Sequence, residues 1–231
     1  MTTEDPLVTI ARALREHGGS EPPRGISCYV ALGDSFTAGT GSPEGLGWAN
    51  RVAAGLGRRD SAFAYRNLAE DGATSADVLA QVDQALQLEP DLVTVICGAN
   101  DVLRTTRPDG AAYARRLRTI FRRLRDAGRS MIVVTATSPN RWDFVPLGPR
   151  TRARVEDGMR SFNDITRRVA RQHQVPCLDV ADHPGLRDRD NFATDGLHPS
   201  PRGHARAARA FAALLRDGYG IPLGNLEGEE I

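Results

Sequence analysis

The run at residues 92–97 (LVTVIC) constrains the fold more than any other segment. It is unbroken, apolar and β-branched, the pattern of a strand buried on both faces. Such a strand needs a helical layer on each side, and the flanking sequence provides one. Residues 27–32 (SCYVAL), ending at Gly33, predict a first strand, and residues 65–68 a weaker second. Residues 131–135 (MIVVT) and 175–180 predict the fourth and fifth. Between them apolar residues recur at helical spacing. They lie at 48–56, at Ala76, Leu79, Val82 and Leu86, and at Tyr113, Leu117, Ile120, Phe121 and Leu124. Residues 151–173 carry Val155, Met159, Phe162, Ile165 and Val169 inward, and 203–216 predict a last helix. Alternation of this kind implies an α/β fold with a parallel sheet, right-handed crossovers and helices on both faces. The expected sheet is flavodoxin-like and doubly wound, with five strands in the order 2-1-3-4-5. Ligands bind such sheets at the carboxyl ends of the strands, near the switch between strands 1 and 3.

Residues 1–25 stand outside this pattern as an N-terminal extension. A short amphipathic helix at 6–17 is broken by Gly18-Gly19-Ser20-Glu21-Pro22-Pro23. The domain proper is expected over 26–218, followed by a tail at 219–231. Two long irregular stretches, 39–47 and 138–150, both follow strands and should rim the same sheet edge.

Composition removes several chemistries. The 231 residues contain 30 basic and 29 acidic side chains, a net charge of +1, so no global electrostatic case exists for nucleic acid or an anionic membrane. All 30 basic residues are arginine. Without lysine, Schiff-base catalysis and a P-loop are excluded. No stretch approaches the roughly 20 apolar residues of a membrane span. Cys28, Cys97 and Cys177 form no C-x-x-C pair and read as small buried hydrophobes rather than a disulfide framework or zinc site. The amino-terminal residues lack a secretory pattern, which with reduced thiols favours the cytoplasm. Arg115, Arg118, Arg122, Arg125 and Arg129 read as the solvated face of their helix. His17, His173 and His204 read as surface residues. His183 sits in the loop leading to Asp195, where it has some chance of touching substrate.

Four short motifs follow strands or precede helices at the expected ligand-binding edge. Gly33-Asp34-Ser35 ends the first strand and presents a hydroxyl at a helix N-terminus, where backbone N–H groups suit a developing oxyanion. Asp71-Gly72-Ala73-Thr74-Ser75 opens the helix after the second. Gly98-Ala99-Asn100-Asp101 follows the third and offers a side-chain amide donor. Asp195-Gly196-Leu197-His198 precedes the last helix, with a carboxylate placed to fix the imidazole tautomer. Each motif alone is equally compatible with a cap or a turn. Together they form an acyl-transfer set: Ser35 as nucleophile, His198 as base, Asp195 as orienter, and Ser35 N–H, Gly72 N–H and Asn100 as oxyanion donors.

On these residues the chain resembles the SGNH hydrolases, also called the GDSL esterase/lipase family. Block I matches as Gly33-Asp34-Ser35, block II as Gly72, block III as Gly98-x-Asn100-Asp101, and block V as Asp195-x-x-His198. The resemblance spans residues 29–216. It implies a three-layer α/β/α fold and a serine esterase that cleaves small-molecule esters or thioesters through an acyl-enzyme, with no metal or cofactor. Capture of the same acyl-enzyme by another acceptor, as an acyltransferase, and a non-catalytic binding module are the alternatives. Phe36, Trp142, Phe144 and Phe192, with Trp48 nearby, are expected to wall an apolar substrate pocket. The sequence assigns neither the acyl chain nor an oligomeric state.

Overall fold

The computed structural model describes residues 25–57, 62–128, 130–224 and 226. The expected helix at 6–17 and Arg129 lie outside them. The strands are β1 (Cys28–Gly33), β2 (Ala64–Asn67), β3 (Leu92–Ile96), β4 (Ile132–Ala136) and β5 (Cys177–Leu178). All pair in parallel, in the order β2-β1-β3-β4-β5. The helices are α1 (Ser35–Ala38), α2 (Trp48–Gly57), α3 (Ser75–Leu86), α4 (Ala99–Leu103), α5 (Gly110–Ala127), α6 (Pro149–Gln172) and α7 (Pro201–Tyr219), with two short 3₁₀ turns, Pro184–Arg187 and Arg189–Asn191.

Alternation of side chains along β1 and β3 divides the core. Val30, Leu32, Val93 and Val95 face α3, α5 and α6, where Val82, Phe121 and Val169 meet them. Tyr29, Ala31, Leu92 and Ile96 face α2 and α7, where Trp48, Val52, Phe211 and Leu215 meet them. This is the doubly wound, three-layer arrangement the sequence implies. β3 is buried at every position, which explains its continuous apolar run. The expected fifth strand shrinks to two paired residues. Beyond Leu178 the Val180 and Ala181 N–H groups both donate to the Thr137 hydroxyl instead of continuing the ladder. Past α7, Ile221 is buried against α2 and the Gly224 N–H bonds Gly55 O, so this stretch of the expected tail packs on the domain. Arg115, Arg118, Arg122 and Arg125 line the outer face of α5, as expected.

His204 overturns its expected place at the surface. It is wholly buried at the start of α7. Its Nδ1 accepts the Trp48 N–H at 3.2 Å, and its Nε2–H donates to Thr40 O at 3.1 Å. A side chain satisfied at both ends can be buried without loss. Burial pushes the imidazole below its usual value against the opposing bond to Thr40 O. The ring thereby ties the 39–47 loop and α2 to α7.

The end of β1 is held by Gln81 of α3. Its Oε1 accepts the Gly33 N–H at 3.0 Å, and its Nε2 donates to Gly33 O at 3.1 Å. Gln81→Leu leaves that buried N–H without a partner and should destabilise the fold by about 1–3 kcal/mol. Urea unfolding at neutral pH measures the loss.

Candidate active site

Ser35 is the first residue of α1 and sits two residues beyond the end of β1. Asp34 caps this short helix, its Oδ1 accepting the Phe36 N–H at 3.1 Å, and Gly39 closes it at φ +101°. The serine hydroxyl is therefore fixed at the sheet edge, only 8% exposed.

His198 reaches it from the loop before α7. Its Nε2 lies 2.9 Å from Ser35 Oγ, and its Nδ1 lies 2.6 Å from Asp195 Oδ2. Asp195 Oδ1 accepts the N–H groups of Leu197 and His198 at 2.8 and 3.0 Å. These two bonds form the turn that brings carboxylate and imidazole together. Partial burial acts against the Asp195 charge. The bonds from the His198 ring and from the two N–H groups outweigh it and lower the carboxyl below its usual range. Asp195 stays ionised at neutral pH and orients Nδ1–H toward itself, which leaves Nε2 as the acceptor facing Ser35.

Ser35, Gly72, Asn100 and His198 line one cavity of about 180 Å³. Gly72 adopts φ +77°, a conformation glycine takes without strain. Neither the Ser35 N–H nor the Gly72 N–H meets a protein acceptor among the described residues. Asn100 Nδ2 donates one hydrogen to Ala73 O at 3.1 Å, which fixes the amide and leaves its second hydrogen unspent. The three donors and the hydroxyl surround a single space, the arrangement an oxyanion needs.

Several residues that the sequence reading gave no role hold this constellation. Asp101 accepts the Ser75 N–H at 2.7 Å and the Ser75 hydroxyl at 2.6 Å, and Arg116 joins the pair. Arg104 donates to Gly72 O at 3.0 Å. The loop carrying Gly72 and the helix carrying Asn100 are thereby fastened into one unit. On the other side, Arg189 donates to the carbonyls of Phe192, Ala193 and Thr194, the three residues before Asp195. Gly196 (φ +71°) lies so close to the Phe144 carbonyl that a side chain there would collide with it. The aspartate of the G-x-N-D motif was the one visible signal. The arginine contacts depend on tertiary neighbours.

The aromatic set divides. Phe36 and Phe192 line an apolar cavity beside the site. Phe144 packs at a tilt against Phe192, with ring centres 5.2 Å apart, beneath the Arg189 guanidinium. Trp142 departs from the expected pocket wall. It is 3% exposed within the α5–α6 core layer, and its indole N–H donates to Pro139 O. A ring of this size gains most by burial once its N–H is satisfied. Trp48 is also buried, stacked on Phe211 at 4.2 Å, but it lines the apolar cavity, as expected. The 138–150 stretch is therefore anchored by Trp142 and by Arg152, which donates to the carbonyls of Trp142, Val145 and Leu147.

Asp34 is 1% exposed, and its Oδ2 has no protein partner. Burial pushes its carboxyl up to about 7, against the bond from the Phe36 N–H. The folded state then binds a proton that the unfolded chain releases near pH 4, so this group lowers stability as pH rises from about 4 to about 7. Asp34→Asn should gain on the wild type by a few kcal/mol across that window. Parallel urea titrations at pH 4, 5.5 and 7.5 check it, and a constant difference would contradict the assignment.

A family model, "GDSL-like Lipase/Acylhydrolase family", matches residues 31–206. An arylesterase of Vibrio mimicus is 27% identical over 187 residues, covering 80% of this chain and 86% of the relative. Among solved structures, LAE5, an alpha/beta hydrolase enzyme from the metagenome of Lake Arreo, is 26% identical with a TM-score of 0.63, covering 83% of this chain and 96% of that one. The lipase Lip_vut3 from a goat rumen metagenome shares the fold at 18% identity and a TM-score of 0.67, over 87% and 99% of the two chains.

Proposed function

The chain belongs to the GDSL-like lipase/acylhydrolase family, an ester-hydrolysing serine hydrolase, and from that premise we propose that it works through a covalent acyl-enzyme on Ser35. The observation that carries the reading is the Ser35–His198–Asp195 chain, at 2.9 and 2.6 Å, facing a cavity that holds three oxyanion donors.

In the first half-reaction Ser35 Oγ attacks the ester carbonyl as its proton passes to His198 Nε2. The carbonyl oxygen takes up the negative charge and is received by the N–H groups of Ser35 and Gly72 and by the free hydrogen of Asn100 Nδ2. Asp195 stabilises the imidazolium across Nδ1–H. The intermediate collapses, the alkoxide leaves with the proton from Nε2, and the acyl group remains on Ser35. In the second half-reaction Nε2 takes a proton from water, which attacks the acyl-enzyme. Collapse returns the serine hydroxyl and releases the carboxylic acid. The base works only when unprotonated, so activity should fall in acid.

The name of the Vibrio relative makes aryl esters the first probes. The three unpaired thiols support a reducing, cytoplasmic setting. No helix among the described residues is long and apolar enough to cross a membrane.

The reading is tested with p-nitrophenyl acetate and a fluorophosphonate. The wild type should release p-nitrophenol and take up one label on Ser35, and Ser35→Ala should do neither. Label on a cysteine, or hydrolysis that survives Ser35→Ala, would refute it.

Asp195→Asn keeps an oxygen for the Leu197 and His198 N–H groups, so the turn should form. The new amide donates toward Nδ1 and favours the tautomer whose Nε2 carries the hydrogen. By analogy with serine protease triads, kcat should drop by about 10²–10⁴ with little change in KM. Near-wild-type turnover would remove Asp195 from the triad.

A further inference from the structure

A second cavity, about 170 Å³ and almost wholly apolar, lies between the carboxyl ends of β4 and β5 and the inner face of α7. Ile96, Ala136, Leu178, Ala207 and Phe211 form its walls. Phe36 belongs to both cavities. Its ring stands 5.8 Å from the His198 imidazole, and Pro199, the residue after the base, closes the near end. The site of chemistry and this space are separated by one half-buried side chain.

An engineered apolar cavity of about 150 Å³ accepts benzene.

We propose that this cavity is the acyl pocket and that it receives the hydrocarbon chain of the acid half of the ester, about four to six carbons or one phenyl ring. The assignment rests on the esterase reading above. The three substituents of the tetrahedral carbon decide the half. The oxyanion belongs to Gly72 and Asn100. The leaving oxygen must meet His198 Nε2, depart, and be replaced by water at the same place. The acyl group alone stays attached through both half-reactions, and an apolar pocket beside the serine suits the part that remains bound. An ionised chain would lose its hydration there without a partner, so the substrates are uncharged in this half. Each methylene buried should raise kcat/KM about fourfold until the pocket is full, near six carbons.

The test compares p-nitrophenyl acetate, butanoate, hexanoate and decanoate with a matched series of alkyl acetates that lengthens only the alcohol. The hexanoate-to-acetate ratio of kcat/KM should exceed about tenfold in the wild type and fall at decanoate. Ala207→Phe, which fills the pocket, should cut that ratio at least tenfold. The smaller Ala210→Leu serves if the first variant fails to fold. Arg209→Ala, on the outer face of the same helix, should leave the ratio unchanged. A flat acyl series, a ratio insensitive to both filling variants, or chain-length dependence confined to the alkyl acetates would overturn the proposal while the esterase reading stands. Absence of any Ser35-dependent hydrolysis would remove the esterase reading itself and this pocket with it.

Discussion

Ser35 and His198 are 163 residues apart in sequence and 2.9 Å apart at their reacting atoms. Proton transfer tolerates little error in that distance, and a misplacement of about 1 Å costs orders of magnitude in rate. Much of the packing near the sheet edge can be understood from this requirement. Gln81 fixes the backbone from which Ser35 projects. Arg189 holds the approach to Asp195 from below, and the Phe144 backbone closes on Gly196. His204 ties the helix that follows His198 to the loop that follows Ser35. None of these side chains reaches a substrate, yet each restricts one coordinate of the same gap.

Two carboxylates near the nucleophile live in opposite environments. Asp34 is sealed under α1 with one oxygen unpaired, and burial favours its neutral form. Asp195 is about half exposed, accepts three hydrogen bonds and stays charged. The charged group faces the imidazole, and the one that burial shifts upward lies under the short helix that carries the hydroxyl.

The fold was legible because its signal is periodic. Every strand of the sheet, its order and its helical layers follow from apolar patterning, and only β5 was overextended, since pairing ends where the Val180 and Ala181 N–H groups turn to the Thr137 hydroxyl. The four motifs were legible because they are short and sit at strand ends. His204 and Trp142 were misplaced for a common reason. Both are amphipathic rings whose burial depends on tertiary neighbours, the backbone of Thr40 and Trp48 for one and the core layer of α5 and α6 for the other. The pocket behind Phe36 was hidden likewise, being the gap left where α7 meets β4 and β5, which no local pattern encodes.

The order in which the chain supplies its parts has a consequence during synthesis. The proposed nucleophile and oxyanion donors all come from the first hundred residues, on α1, the loop after β2, and α4. The base and its carboxylate arrive only with the loop before α7, the last helix of the described fold. Domains fold as units behind the ribosome, so an emerging chain carries a serine hydroxyl that nothing can deprotonate. Undocking of α7 from a finished molecule would return it to that state by drawing His198 away from Ser35. On the proposed mechanism the helix would arm the site, and hydrolysis would wait until the sheet and the final helix had closed on each other.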